Sequence, residues 1–208
     1  MRAGWPLTVG LLIAGAALAL PAAACAYDFQ AMERSIATLS SDTQHDWELK
    51  GRAGDAIGQN ITGMAYKYGI GVPQDHLVST KWFRMAAQQG EPDAQFNLGR
   101  IYESNADGQY RRQRAAPADD AQALMWFRRS AEQGHVPAQV KLAQLLVNGA
   151  PGVRRNPVEG SKWLRIALAA GDPTAAGLLR AVSASMKERD RHQGEALASA
   201  WLARPGVD

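Results

Sequence analysis

One ten-residue pattern recurs three times in this chain, and the recurrence constrains the fold more than any other feature. The pattern reads KWFRMAAQQG at 81–90, MWFRRSAEQG at 125–134 and KWLRIALAAG at 162–171. The tryptophans lie 44 and 37 residues apart, and the closing glycines keep the same two intervals. Intervals of about 20 to 50 residues are typical of repeat proteins, in which each unit packs on its neighbours. The sequence therefore predicts a stack of related units.

Each tryptophan segment carries helix signals at both ends. Asp75, Asp119 and Asn156 lie seven residues before the tryptophans, and such side chains favour the N-cap because they accept amide hydrogen bonds from the first turn. The closing glycine suits the left-handed conformation that follows a helix. Four residues after each tryptophan stands a small residue that lets another helix approach closely. These small residues are Ala86, Ser130 and Ala167.

A second helix is predicted after each glycine, because apolar residues recur there at helical spacing. A helix pair is too small to bury such a stripe alone, so stacked pairs predict an all-α solenoid with a continuous core. The clearest stripes are Ala94, Leu98, Ile101 and Tyr102, and then Ala138, Leu142, Leu145 and Leu146. A third stripe begins at Ala175 and Leu179, and a weaker earlier one comprises Gly58, Thr62 and Tyr66.

Two flanking segments are predicted to cap the stack. Residues 27–53 are predicted as N-terminal capping helices, 54–180 as the repeats, and 181–208 as a C-terminal capping helix and tail. The apolar residues that support the two caps are Phe29, Met32, Ile36 and Leu39 at one end, and Trp201 and Leu202 at the other.

Residues 1–26 have the pattern of a secretory signal peptide. Arg2 precedes an apolar stretch from Leu7 to Leu20, and Ala24-Cys25-Ala26 fits the A-x-A cleavage rule. We expect cleavage after Ala26, which removes the chain's one cysteine, as suits an oxidising compartment. The alternative is a lipoprotein whose first mature residue is Cys25. A retained membrane anchor is disfavoured because it needs about 20 apolar residues.

The charge and localisation predicted for the mature chain follow from that cleavage. Its net charge falls to about +2, one below the +3 of the full chain, which is too mild to indicate nucleic-acid binding. We therefore predict an exported protein, periplasmic or secreted, that does not span a membrane once the signal is removed.

The stretch AYKYGIGVPQDHLVSTKWFRMAAQQG at 65–90 resembles the Sel-one-like repeat, a relative of the tetratricopeptide repeat. The matching features are Tyr66, the G-x-G-V at 69–72, Asp75, Trp82 with its aromatic neighbour, and the closing A-A-Q-Q-G. The resemblance covers about residues 54–180. It implies two antiparallel helices per repeat, coiled into a right-handed superhelix, and a role as adaptor or scaffold rather than as catalyst.

The second repeat departs from this pattern. It lacks G-x-G-V, and 17 residues separate Tyr102 from Asp119, against 9 between Tyr66 and Asp75. The sequence SNADGQYRRQRAAPADD therefore predicts a long loop between paired helices.

No pattern in the sequence indicates catalysis, a metal or a cofactor. His45, His76, His135 and His192 are far apart and belong to no metal-binding motif, and there is no G-x-S-x-G. His135 follows a repeat glycine, where a polar residue can cap the next helix. The glycines of GIGVPQD could cradle a phosphate, but their recurrence as PGVRRN is better explained by turn geometry.

The first candidate binding surface is the exposed side of the second helices. Residues opposite the apolar stripes would line a concave groove that accepts an extended peptide or a partner helix. The alternative is that Met64, Phe96 and Val140 pack between adjacent repeats. The predicted partner-binding residues are Asn60, Met64, Phe96, Arg100, Val140 and Gln144.

The second candidate surface consists of arginines in equivalent loops. Stacked repeats bring such loops to one edge, where guanidinium groups could bind a carboxylate or phosphate. The alternative is solvated loop charge, screened by salt. The predicted anion-binding residues are Arg111, Arg112, Arg114, Arg154 and Arg155.

Together these observations predict a non-catalytic adaptor or scaffold of the cell envelope that holds a protein partner in its groove. Two alternatives remain open from the sequence: an envelope hydrolase acting on cell-wall material, and a binder of acidic glycan through the arginine loops.

Overall fold

The computed structural model describes residues 40–103 and 118–204, and within these ranges the chain forms nine helices and no strand. This architecture confirms the all-α prediction. In chain order the helices are α1 (Ser41–Arg52), α2 (Ala56–Tyr68), α3 (His76–Gln88), α4 (Pro92–Tyr102), α5 (Asp120–Glu132), α6 (Val136–Asn148), α7 (Pro157–Ala169), α8 (Pro173–Ser185) and α9 (Glu188–Leu202).

The helices that carry the tryptophan pattern are α3, α5 and α7, and the predicted cap residues lie at both ends of each. Asp75 accepts hydrogen bonds from the amides of Leu77 and Val78, and the corresponding caps of α5 and α7 each accept one. Each of these helices ends two residues before its glycine. The glycines have positive φ angles because the chain turns there through the left-handed region that L side chains avoid. These angles are +96° at Gly90, +87° at Gly134 and +90° at Gly171.

Helices that are consecutive in sequence pack on each other from α1 to α8, as expected for a solenoid. The last helix, α9, turns back onto α7, where the rings of Trp163 and Trp201 meet edge to face with centroids 5.8 Å apart. Burial of Trp201 against Trp163 closes this end of the core.

The residue after the tryptophan is fully buried in each repeat. Phe83, Phe127 and Leu164 are at most 1% exposed. Trp126 and Trp163 join the same core, whereas Trp82 is only half-buried. The sequence therefore marked the correct helical face, but in the first repeat the fully buried side chain is Phe83 rather than Trp82.

Each of these core residues faces a small residue on the preceding helix. A Cβ added to Gly63 would lie 2.8 Å from the Phe83 ring, and one added to Gly99 would lie 2.7 Å from the Phe127 ring. The same positions of α6 and α7 hold Ala143 and Leu164. A larger residue on one helix is thus matched by a smaller residue on the other, which keeps the packing close.

The loops that precede α3, α5 and α7 are closed by the same backbone hydrogen bond. The amide of the N-cap donates to a carbonyl near the end of the previous helix: Asp75 to Tyr66 at 2.9 Å, Asp119 to Tyr102 at 2.8 Å and Asn156 to Leu146 at 2.6 Å. The long loop of the second repeat therefore begins and ends at the anchor used by the short ones.

Several predictions concern residues outside the described ranges. They are the signal peptide, the cleavage or lipidation site, the apolar stripe from Phe29 to Leu39, and the loop arginines at 111, 112 and 114. Among the residues that are described, no helix has both the length and the hydropathy to cross a bilayer.

Candidate partner-binding groove

The second helices of the repeats are α2, α4, α6 and α8, and they lie side by side. Side chains of α4 reach α2, a side chain of α6 reaches the end of α4, and α6 and α8 together line a cavity. Equivalent positions on the four helices are Met64, Arg100, Gln144 and Ala181, spaced 36, 44 and 37 residues apart. We refer to the side of α2, α4, α6 and α8 that carries these four residues as the groove face.

The first gap along the groove face, between α2 and α4, is filled by protein side chains. The amide nitrogen Nδ2 of Asn97 lies 3.4 Å from Oδ1 of Asn60 and 3.6 Å from the sulfur of Met64. All three residues are buried. This gap therefore offers no opening to a partner.

An ion pair spans the second gap, between α4 and α6. Nζ of Lys141 lies 3.1 and 3.2 Å from the two carboxylate oxygens of Glu103, the residue that follows α4. The Glu103 side chain is only 12% exposed, so solvent screens this pair less than a surface pair. The two charged side chains cover the space between the helices.

The third gap, between α6 and α8, is apolar and open. Val147 stands 44 residues after Glu103, and Leu178 stands 37 residues after Lys141, so an ion pair cannot form there. A cavity of about 210 Å³ lies over Leu164 of α7 at this point. Val182 completes its apolar wall, and the polar residues Asn148 and Ser185 stand at one end. Both polar residues are exposed, so the cavity opens to solvent.

The structure divides the six predicted partner-binding residues into two groups. Asn60 and Met64 are buried, and Phe96 and Val140 are half-buried against the core. For Met64, Phe96 and Val140 the alternative interpretation, packing between repeats, describes their position, and the burial of Asn60 corrects its expected exposure. Arg100 is exposed, and Gln144 lines the cavity. The binding role of Arg100 and Gln144 stays a prediction.

Of the five predicted anion-binding arginines, two are described, and one of them, Arg155, lies beside this cavity. Arg154 is exposed. Arg155 donates from Nε to the carbonyl oxygen of Val147 at 2.9 Å, and its aliphatic stem covers Gly149. This contact holds the guanidinium group at the C-terminal end of α6. Arg111, Arg112 and Arg114 lie outside the described residues, so their gathering with this pair stays a prediction.

A buried polar cluster joins the second repeat to the third. Nδ1 of His135 accepts the Ala138 amide at 3.1 Å, so in the neutral ring the proton is on Nε2, which donates to Oδ1 of Asp93 at 3.0 Å. The ring of Phe96 covers His135, with centroids 4.8 Å apart. His135 is fully buried. Because its side chain accepts the amide of Ala138, it caps α6, as its position after the repeat glycine predicted.

Two carboxyls of this cluster are perturbed by their surroundings. Burial raises the pKa of Asp93, although the contact with His135 acts in the opposite direction. Burial also raises the pKa of Glu91, the N-cap of α4, against the effect of its backbone hydrogen bonds. Within residues 40–103 and 118–204 no group of His, Cys, Asp and Glu is arranged to hold a metal ion.

The sequence contained a signal for the cavity that motif reasoning missed. Aligning the repeats by their glycine intervals places Glu103 over Val147 and Lys141 over Leu178. At these equivalent positions one repeat has a charged pair and the next has an apolar pair. This difference indicates that the surface changes there from charged to apolar. The size of the cavity, however, depends on how α6, α7 and α8 pack.

Comparison with known proteins identifies the repeat. A profile of the Sel1 repeat matches residues 56–91, 92–135 and 136–172, together more than half of the chain. Each matched segment contains one second helix and the tryptophan helix after it. No protein with a curated function matches at a significant level.

Two solved structures illustrate the likeness. One is c5321, described as a protective antigen of uropathogenic Escherichia coli strains displaying an SLR fold, which is 31% identical with a TM-score of 0.63. The other is a Sel1 repeat protein from Oxalobacter formigenes, which is 27% identical with a TM-score of 0.60. The alignments cover 78% and 72% of this chain, but only 34% and 57% of the respective relatives. The chain thus matches only part of each relative's length.

Proposed function

The chain belongs to the Sel1 repeat family, whose fold is a protein-interaction scaffold, and we propose that this member holds a protein partner on its groove face without catalysing a reaction. The observation that carries the proposal is the open apolar cavity between α6 and α8. The two preceding gaps of the same face are closed by Asn97 and by the Lys141–Glu103 pair. We therefore expect the main contacts of the partner in the gap between α6 and α8, with the exposed Arg100 of α4 at the edge of the contact.

The proposal includes export to the cell envelope. The apolar stretch at residues 7–20, the A-x-A sequence at residues 24–26 and the absence of cysteine after residue 25 support it. The scaffold would then meet its partner in the periplasm or outside the cell.

Photocrosslinking in cells tests the proposed surface. A photoreactive amino acid is placed at Arg100 or Gln144 on the groove face, and, as matched controls, at Lys81 or Met125. The two controls are equivalent exposed positions of α3 and α5. We expect a discrete crosslinked partner at Arg100 and Gln144, in the envelope fraction of the cells, and none at the controls. Crosslinks confined to the controls would place the binding surface elsewhere.

The absence of catalysis is tested with the purified protein. We expect no release of product from peptidoglycan fragments and no hydrolysis of β-lactams. Reproducible turnover that one substitution abolishes would favour the envelope hydrolase instead.

A further inference from the structure

We propose that the cavity between α6 and α8 accepts one apolar side chain of a partner protein segment, and that Arg155 pairs with a carboxylate beside that side chain. This inference rests on the proposed scaffold function and deepens it, because it names the chemistry that the partner presents. The occupant is an acidic segment with an apolar residue at its centre.

The size and wall of the cavity determine the apolar part of the occupant. Its volume is about 210 Å³, and Val147, Leu164, Leu178 and Val182 supply apolar surface around it. An apolar cavity of about 150 Å³ is large enough to bind benzene. A leucine or phenylalanine side chain therefore fits, whereas a whole helix does not.

The repeats themselves show that this opening is not a necessary feature of the fold. At the equivalent place one repeat earlier, Glu103 and Lys141 bridge the helices. Replacement by Val147 and Leu178 removes both charges, and the cavity there is lined by Leu164 of α7. The chain thus has a closed and an open version of the same gap.

The charges around the opening determine the second part of the occupant. Neither α6 nor α8 contains an aspartate or glutamate, and the loop after α6 adds two arginines. Arg155 is held beside the cavity by its bond to the Val147 carbonyl, at the end where Asn148 and Ser185 stand. The next carboxylate along the chain, Glu159, already bonds Arg128 and Asn156. A negative charge on the partner is therefore complementary to this rim.

Three short peptides test the inference with methyl NMR of the purified protein. The probes are acetyl-Gly-Asp-Leu-Asp-Gly-amide, the same peptide with alanine in place of leucine, and the same peptide with lysines in place of the aspartates. We expect the Asp-Leu-Asp peptide to shift the methyl signals of Val147, Leu164, Leu178 and Val182. Its affinity should exceed that of the alanine peptide by at least about tenfold, and that of the lysine peptide by about twofold to fivefold.

Variants of the chain locate the binding. The double substitution Val147→Glu with Leu178→Lys rebuilds the closed gap. We expect it to lower the affinity for the Asp-Leu-Asp peptide by at least about tenfold. If that variant does not fold, Ala181→Phe, at an exposed position of α8, fills the same cavity. Arg155→Gln keeps a donor for the Val147 carbonyl but removes the charge. It should reduce the affinity for the Asp-Leu-Asp peptide by about twofold to fivefold, toward the affinity of the parent for the lysine peptide.

The outcomes separate this inference from the proposed function. If no peptide shifts the cavity methyls, or the closed-gap variant binds as well as the parent, the inference is overturned. Equal affinity of the aspartate and lysine peptides overturns the role of Arg155. Crosslinking at Gln144 in cells would still support the scaffold function in either case, whereas its absence would count against that function.

Discussion

At the scale of single residues, glutamine side chains tie the helices of each repeat together. Three glutamines occupy the same position of α2, α4 and α6, and each donates from Nε2 to a carbonyl near the end of the preceding helix. The donors are Gln59, Gln95 and Gln139, and the acceptors are Gly51, Ala87 and Ala131. Each of these carbonyls lies near the end of its helix and also accepts the backbone amide three residues further on, so the glutamine supplies a second hydrogen bond there.

The third of these glutamines lacks a bond that the first two have. Gln89 donates to Oε1 of Gln59 at 2.7 Å, and Gln133 donates to Oε1 of Gln95 at 2.8 Å. The equivalent position before the third glycine is Ala170, which carries no donor. Oε1 of Gln139 is accordingly buried without a hydrogen-bond partner.

Ala170→Gln should therefore stabilise the protein. The new side chain supplies the missing donor. A hydrogen bond to a buried acceptor that had none stabilises the folded state by about 1 kcal/mol. Urea unfolding of the variant and its parent measures the difference. Ala170→Glu is the matched control, because an ionised carboxylate cannot donate and should give no gain. Equal effects of the two substitutions would contradict the explanation.

At the scale of helices, close packing depends on the combined size of two residues that face each other on neighbouring helices. Gly63 faces Phe83 and Gly99 faces Phe127, but Leu164 stands where the earlier repeats have phenylalanine, and the residue opposite it is alanine. The helices of each pair are held together by the combined volume of the two side chains rather than by either residue alone.

Gly99→Ala should destabilise the protein by about 1 kcal/mol. The new methyl group would lie within 2.7 Å of the Phe127 ring, and the cost of overpacking, about 1 to 3 kcal/mol, exceeds the gain of up to about 1 kcal/mol in helix propensity. Thermal or urea unfolding measures the loss. In combination with Phe127→Leu, which copies the third repeat, the total loss should be smaller than the sum of the two single losses.

A second glycine controls for helix propensity. Gly177 lies in α8, and a Cβ there meets no atom within 4 Å. Gly177→Ala should raise the free energy of unfolding by up to about 1 kcal/mol. If Gly99→Ala were also stabilising, the close approach of the Phe127 ring would not limit this position.

At the scale of the whole molecule, the buried carboxyls influence how stability depends on pH. Burial raises the pKa of Glu91 and of Asp93. The folded chain therefore holds these protons more tightly than the unfolded chain, whose carboxyls titrate near pH 4. The stabilising contribution of each group is present below that pH and is lost as the pH rises through the raised pKa.

Glu91→Gln should change the pH profile of unfolding. Glutamine keeps an oxygen that accepts the Ala94 amide but carries no charge to bury at neutral pH. The free energy of unfolding of the variant, relative to the parent, should therefore increase from pH 4 to pH 7. Denaturant unfolding at a series of pH values measures the difference, and a constant difference would contradict the effect of burial.

The repeat architecture was predictable because its determinants are local. Asp75 caps a helix through amides two and three residues away, and Gly90 ends the same helix through its own φ angle. The stripe that begins at Ala94 follows from helical spacing alone. Such interactions act within a few residues, so the sequence by itself determined the helices, their boundaries and their repetition.

Only the tertiary structure decided which part of the groove face is open. Asn60 is buried because Asn97, on another helix, lies against it, and no helical wheel of α2 contains that contact. The cavity beside Gln144 exists because α7 brings Leu164 beneath the gap between α6 and α8. Burial depends on neighbours that are distant along the chain, so spacing within one helix predicts a face but not what covers it.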